Sequence, residues 1–319
     1  MAAATRRERP ALLFDGDFLR KLEVLNVVAK KIFSGLLRAD RKSVKKGSSA
    51  EFADHRQYVA GDDPRHIDWA VTARTGDPHV RDTISDHELE LWLVLDTSAS
   101  HAFGTGRATK HELGWAVAGA FALLASRGGN RIGAATSGTD GCLLPARSGR
   151  AHVATVLTTL HRPPVEGDAG DLAGAIERVR RASRRRGMVV VVSDFLGEPT
   201  WERPLRAVSS RHEVIAVRVV DPAETELPDI GSVLMEDAET GEQLFVDTHD
   251  SAFRKRFAAA AELRERTLRA AFRDAGVDAL ELSTDDDLVD AILRFADLRK
   301  RRSQLAGGGT LPRHLEGAG

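Results

Sequence analysis

The stretch Leu91-Trp92-Leu93-Val94-Leu95 constrains this chain more than any other. An unbroken apolar run that includes Trp and Val, bounded by Glu90 and Asp96, fits a strand covered on both faces. Strands of that kind belong to parallel sheets, whose crossover connections bury both sides. The run stops at Asp96-Thr97-Ser98-Ala99-Ser100, which sets one carboxylate and two hydroxyls on alternate positions. A helix is expected next, over Ala108 to Arg127. Hard oxygens at the mouth of a sheet suit a small dication such as Mg²⁺. The same residues would equally serve as caps for the following helix.

Composition narrows the classes of function. The formal net charge is −1 over 319 residues, so nothing draws the whole chain to nucleic acid or to an anionic membrane. Cys142 is the single cysteine and cannot form an internal disulfide, which agrees with a reducing compartment. No run reaches the roughly eighteen apolar residues that a membrane span needs. The basic start MAAATRRERP is followed by a stretch broken by Arg20, Lys21, Glu23, Lys30 and Lys31, so it does not read as a signal peptide. A cytoplasmic location is expected.

Beyond the first strand, apolar runs and helical periods alternate. Further strands are expected at Arg131–Ser137 and Cys142–Pro145, joined by a turn at Gly138–Gly141, and at Met188–Val192, Val214–Val220 and Ala279–Leu282. Helices are expected at Ala151–Leu160, Leu172–Arg186, Trp201–Arg211, Asp250–Ala275 and Asp287–Arg299. Ser232–Asp247 reads as a hairpin turning at Glu239-Thr240-Gly241. The alternation predicts an α/β fold with a doubly wound, mostly parallel sheet. In the strand order 3-2-1-4-5-6, ligands bind where strands one and four part. That order makes Asp96 a neighbour of Asp194, the residue that ends the fourth strand's Ser193-Asp194-Phe195. The convergence of two carboxylates and two serines favours the cation over the cap.

The remaining segments are less regular. Phe18, Leu22, Leu25, Ala29, Ile32 and Leu36 recur at helical steps, predicting an amphipathic helix over Asp17–Leu37. Five basic residues between Arg38 and Lys46 read as a solvated linker. Glu51–Arg81 alternates acids, arginines and turn signals, which suggests an ion-paired, irregular or short-stranded module. Its charged residues Asp62, Asp63, Arg65, Asp68 and Arg74 form either scaffold ion pairs or a contact surface for another protein. The helix at 172–186 carries Arg178, Arg180, Arg181, Arg184, Arg185 and Arg186, which its C-terminal dipole favours and which would also meet phosphate or a partner. The expected organisation is a helix and module over 1–86 packed on the main domain, that domain over 87–299, and a disordered tail over 300–319.

Asp96-Thr97-Ser98-Ala99-Ser100 resembles the Asp-x-Ser-x-Ser signature of von Willebrand factor A-like domains, where it forms the metal-ion-dependent adhesion site. Asp194 matches that site's second aspartate. Glu51-Phe52, Arg56, Tyr58, Gly61-Asp62-Asp63, Arg65, Ile67-Asp68-Trp69 and Ala73-Arg74 resemble a narrower group of bacterial proteins, the domain-of-unknown-function family fifty-eight, typically associated with MoxR-type AAA+ ATPases. The resemblance implies a non-enzymatic adaptor that holds Mg²⁺ through Asp96, Ser98, Ser100 and Asp194. It would link such an ATPase to an unidentified client through Arg56, Asp62, Asp63, Arg65, Asp68, Trp69 and Arg74. The chain departs from the pattern where a threonine is usual: Gly170 stands there, so Asp168 or Asp171 would have to substitute.

Two other classes compete. A metal-dependent phosphohydrolase also places an aspartate at the end of its first strand, but Ser98 stands where the general acid is needed, and His101 and His111 read as surface or packing residues. Gly104-Thr105-Gly106-Arg107-Ala108-Thr109-Lys110 has the look of a phosphate loop without its spacing, and reads instead as a flexible loop over the cation site.

Overall fold

The structure is a computed structural model that describes residues 50–59, 64–85 and 89–287, with Ala291 and Arg294. Its contacts divide the chain into two units, one of them Leu37–Glu88. In that smaller unit Ala50–Gln57 (β1) pairs antiparallel with His79–Ser85 (β2). Their connection holds a 3-10 turn at Pro64–His66 and a short helix at Trp69–Thr75 (α1). Asp68 starts that helix by accepting the Ala70 and Val71 N–H groups at 3.0 and 3.2 Å. Gly76 ends it with φ 83°, the left-handed conformation that glycine adopts without a Cβ penalty. The module expected over 51–81 is therefore a hairpin with a helix in its connection. The helix expected at 17–37, the basic stretch 38–46 and the tail 300–319 lie outside the described residues.

The larger unit is built on six strands: Glu90–Leu95 (β3), Arg131–Thr136 (β4), Leu143–Arg147 (β5), Gly187–Ser193 (β6), Glu213–Val220 (β7) and Asp278–Ser283 (β10). They line up as β5-β4-β3-β6-β7-β10. Every neighbouring pair is parallel except β4 with β5. This is the doubly wound order expected. The β4–β5 turn is one residue longer at each end than expected, because Cys142 closes it through backbone and Thr136 Oγ1 contacts. Pro145 falls within β5, at the sheet edge, where a missing N–H leaves no ladder bond unmade.

Side chains alternate across this sheet as the pleat requires. Leu91, Leu93 and Leu95 point into one apolar layer with Lys110–Arg127 (α2) and Arg150–Leu160 (α3). Trp92 and Val94 point into the other, against Leu172–Ala182 (α4), Glu202–Ser209 (α5) and Ser251–Ala275 (α6). A Cβ on Gly133 would stand 2.5 Å from the Trp92 ring, so a side chain there would displace that indole. Helix α4 stops at Ala182 and not at Arg186, because Ser183 turns extended and Gly187 already begins β6. Ser232–Glu236 (β8) and Gln243–Asp247 (β9) form the expected separate hairpin. No helix among the described residues is long and apolar enough to cross a membrane. Most of the helix expected at 287–299 lies outside the described residues.

Candidate metal site at the carboxyl rim of the sheet

Parallel pairing of β3 with β6 sets Leu95 opposite Val192, so Asp96 and Asp194 leave the sheet at the same rim. Three donors hold the Asp96 carboxylate. Ser137 Oγ and the Ser98 N–H reach Oδ1 at 2.6 and 3.1 Å, and Ser193 Oγ reaches Oδ2 at 2.6 Å. Ser100 Oγ donates to Asp194 Oδ2 at 3.1 Å and lies 3.1 Å from Ser98 Oγ. The four residues expected to bind a cation thus meet at one point. Phe195, directly after Asp194, has φ 56°, a conformation that costs a bulky residue about 1–3 kcal/mol. Ser193 Oγ accepts its N–H at 3.0 Å, and its ring packs 5.0 Å from both Trp201 and Phe272. That cluster fixes the bend that aims Asp194.

The charges around these oxygens are unequal. Lys110 begins α2, where the helix dipole disfavours a cation, yet its side chain is 1% exposed. Its Nζ lies 2.6 Å from Asp194 Oδ2 and 2.5 Å from Glu224 Oε1. Burial works against the ammonium, but the two carboxylates outweigh it and raise its pKa. Burial likewise works against the Asp194 carboxylate; the charges of His101 and Lys110 and the bonds from Lys110 and the Leu196 N–H prevail and hold it at about 2. His101 is fully buried, with Nδ1 3.2 Å from Ser98 Oγ and 4.0 Å from Asp96 Oδ1. Its Nε2 has no hydrogen-bond partner among the described residues. The ligand atoms of Asp96, His101 and Asp194 lie within 4.8 Å of one another. Glu239, at the tip of the β8–β9 hairpin, is half-buried. Its pKa is raised, first by burial and then by the negative charges of Asp194, Asp237 and Asp96.

Gly170 does reach this site. Its φ is 65°, and a Cβ there would stand 3.1 Å from both Ser137 Oγ and Ser98 Cβ. Neither nearby acid replaces the missing hydroxyl. Asp168 is taken up by the Thr139 N–H and hydroxyl and by the Gly170 N–H, and Asp171 caps α4 through the Gly174 N–H. The remaining donors are still hard oxygens. The carboxylates of Asp194 and Glu224 share the ammonium of Lys110, and that of Asp96 is held by hydroxyls and one N–H. An oxygen set with surplus negative charge fits a small dication that keeps part of its water.

A family model described as protein of unknown function DUF58 matches residues 54–267. An uncharacterized protein of Mycobacterium bovis is 46% identical over 316 residues, covering 95% of this chain and 99% of its own. The chain belongs to the DUF58 family. This DUF58 chain is similar in fold to the conserved hypothetical protein BatB from Bacteroides thetaiotaomicron, with TM-score 0.45 and 14% identity over 67% of this chain and 98% of that one. It is also similar to the SpRpn10 VWA domain, with TM-score 0.37 and 13% identity over 65% and 94% of the two chains.

Several residues of the DUF58 site escape a reading of the sequence. Ser193 is adjacent to Asp194 and Ser137 directly follows β4, so strand order plus a search for hydroxyls at strand ends would have found both. Lys110 and Glu224 carry no such signal, because segments distant in sequence deliver them. His101 and His111 are buried, not on the surface. The Gly104–Lys110 segment is tied down: Asp221, at the end of β7, accepts from the Thr105 N–H and hydroxyl at 2.6 Å each and from Thr284 Oγ1 at 2.7 Å.

In the smaller unit of this DUF58 protein, Asp68 is buried under its capping role, whereas Trp69 is 70% exposed. Arg65 and Arg74 are exposed. Arg56 lies in β1 opposite Val80. Asp62 and Asp63 lie outside the described residues.

Proposed function

We propose that this DUF58 protein is a cytoplasmic, non-enzymatic interaction module with a dication-dependent site, and that it serves as an adaptor for a MoxR-type AAA+ ATPase in the assembly or maturation of a client protein. One observation carries the reading: the Asp96 and Asp194 side chains meet beside Ser98 and Ser100 on the carboxyl rim of a doubly wound sheet. Asp96, Ser98, Ser100 and Asp194 would hold Mg²⁺, directly or through water. Bound there, the ion would supply a positive charge open to an acidic side chain of a partner. Ser137 and Ser193 orient the Asp96 carboxylate, and Lys110 holds that of Asp194.

In the smaller unit, exposed Trp69 with Arg65 and Arg74 supports a partner-facing surface, since Trp and Arg are the side chains that most often anchor interfaces. Arg56, Asp62 and Asp63 belong to the same proposed surface, with Asp68 shaping α1 beneath it. The test is binding to a MoxR-type ATPase from the same organism, measured by calorimetry with Mg²⁺ and with EDTA, for wild type, Asp96→Asn and Trp69→Ala. Mg²⁺-dependent binding, weakened at least tenfold in Asp96→Asn, is expected. Equal binding in EDTA removes the cation from the reading; no binding in either buffer removes the ATPase.

A further inference from the structure

His101 brings a nitrogen to a set of hard oxygens. It sits in the 3-10 turn Ala99–Ala102, directly after Ser100, and its N–H donates to the Ser98 carbonyl at 3.0 Å. Side chains three residues apart eclipse in a 3-10 turn, which lays the imidazole over Ser98. Nδ1 accordingly lies 3.2 Å from Ser98 Oγ. It also faces Asp96 Oδ1 at 4.0 Å, too far for a hydrogen bond.

Burial alone does not account for this ring. His101 is fully buried, and its Nε2 has no hydrogen-bond partner among the described residues. A leucine would fill the same space without stranding a polar atom. Ser100 spends its proton on Asp194 Oδ2, so the proton in the Ser98–Ser100 contact comes from Ser98. Ser98 then has none left for Nδ1. In the tautomer protonated at Nε2, the Nδ1 lone pair is therefore open toward Asp96.

The separations suit one shared ion. Ligands bound at 2.0–2.2 Å to a single cation stand roughly 3–4.3 Å apart. The Ser98 Oγ–Ser100 Oγ, Ser98 Oγ–Nδ1 and Asp96 Oδ1–Nδ1 separations are 3.1, 3.2 and 4.0 Å. Ligand atoms of Asp96, His101 and Asp194 lie within 4.8 Å of one another, so a small inward shift brings all three to one ion. Carboxylates alone suit Mg²⁺, whereas an imidazole among them suits Zn²⁺ and its first-row neighbours. We propose that His101 Nδ1 is a ligand of the rim cation beside Asp96 and Asp194, and that it makes the site select a first-row transition dication, with Mg²⁺ the weaker occupant. This rests on the dication reading above.

The experiment uses the full chain, stripped with EDTA and desalted. Calorimetry compares Zn²⁺ with Mg²⁺ for wild type, His101→Leu and His249→Ala, the last removing an exposed histidine elsewhere. Electron spin echo modulation with one equivalent of Mn²⁺ reports a nitrogen bound directly to the ion. Wild type and His249→Ala should bind Zn²⁺ roughly a hundredfold or more tighter than Mg²⁺ and show nitrogen modulation. In His101→Leu, Zn²⁺ affinity should fall at least about tenfold, Mg²⁺ affinity should hold, and the modulation should vanish. Three results overturn the nitrogen ligand and leave the dication reading standing: equal Zn²⁺ binding by wild type and His101→Leu, equal losses for both ions in that variant, or wild-type Mn²⁺ without nitrogen modulation. The wild-type echo needs no variant, so it decides the matter even if His101→Leu fails to fold. Absence of binding of either ion to wild type overturns the dication reading and the nitrogen ligand with it.

Discussion

Lys110 Nζ lies 2.6 Å from Asp194 Oδ2, and both side chains are buried. Removing one member of such a pair strands the other charge, at a cost of about 3–5 kcal/mol. Lys110→Met keeps the length of the side chain and deletes the charge, leaving Asp194 and Glu224 without their cation. Urea unfolding at neutral pH should show a loss of that size. Millimolar Mg²⁺ should recover part of it, because the dication then has an uncontested Asp194.

Ser193 joins two requirements in one hydroxyl. It donates to Asp96 Oδ2 at 2.6 Å and accepts the N–H of left-handed Phe195 at 3.0 Å. Ser193→Ala should cost about 1.5–3 kcal/mol, the range for a buried hydrogen bond to a charged group. Mg²⁺ affinity should fall in the same variant, since both carboxylates lose orientation. Chemical denaturation and calorimetry on one preparation check both expectations.

Gly170→Thr tests whether the family's usual hydroxyl can simply be restored. The backbone there has φ 65°, and the new Cβ would crowd Ser98 Cβ and Ser137 Oγ at 3.1 Å. A β-branched residue in that conformation costs roughly 1–2 kcal/mol before any contact is counted. The variant should be less stable and bind Mg²⁺ no more tightly than wild type.

Stability should fall on mild acidification. Burial lowers the His111 and His212 pKa values to about 4 each. A histidine lowered in this way takes up its proton in the unfolded chain first. Its penalty is absent above an unfolded pKa near 6.5 and grows until pH reaches about 4, to at most about 3 kcal/mol per residue. Asp194 acts lower: its contribution is full above about pH 3.9 and is lost as pH falls toward about 2. Neither ring nitrogen of His111 makes a hydrogen bond of normal geometry among the described residues. His111→Leu should therefore keep its stability at pH 7.5 and lose less than wild type at pH 5, compared by urea midpoints.

Trp69 is 70% exposed at the start of α1, so Trp69→Ala should change folding stability by less than about 0.5 kcal/mol. A weaker complex with the ATPase at unchanged melting temperature would separate an interface role from a structural one.

The sheet was legible in the sequence because both-face burial writes itself as uninterrupted apolar runs, and Leu91–Leu95, Met188–Val192 and Val214–Val220 are such runs. Strand order then made neighbours of Asp96 and Asp194 without coordinates. Helix ends were less legible. The arginines after Ala182 extend a helical pattern that Ser183 breaks, and propensity alone does not register a backbone turning toward the next strand. Lys110 falls in both the expected Ala108–Arg127 helix and the Gly104–Lys110 loop, and neither reading gives it a partner. Its role depends on Glu224, which arrives after β7.

Adjacency of β3 and β6 across the long excursion between them has a temporal side. A nascent chain that has left the ribosome only as far as Gly187 already carries Asp96, Ser98 and Ser100, but it lacks the strand that brings Asp194 alongside. The rim is therefore not assembled until β6 has been made, and a chain truncated or stalled before that point presents no matched carboxylate to any cation or partner.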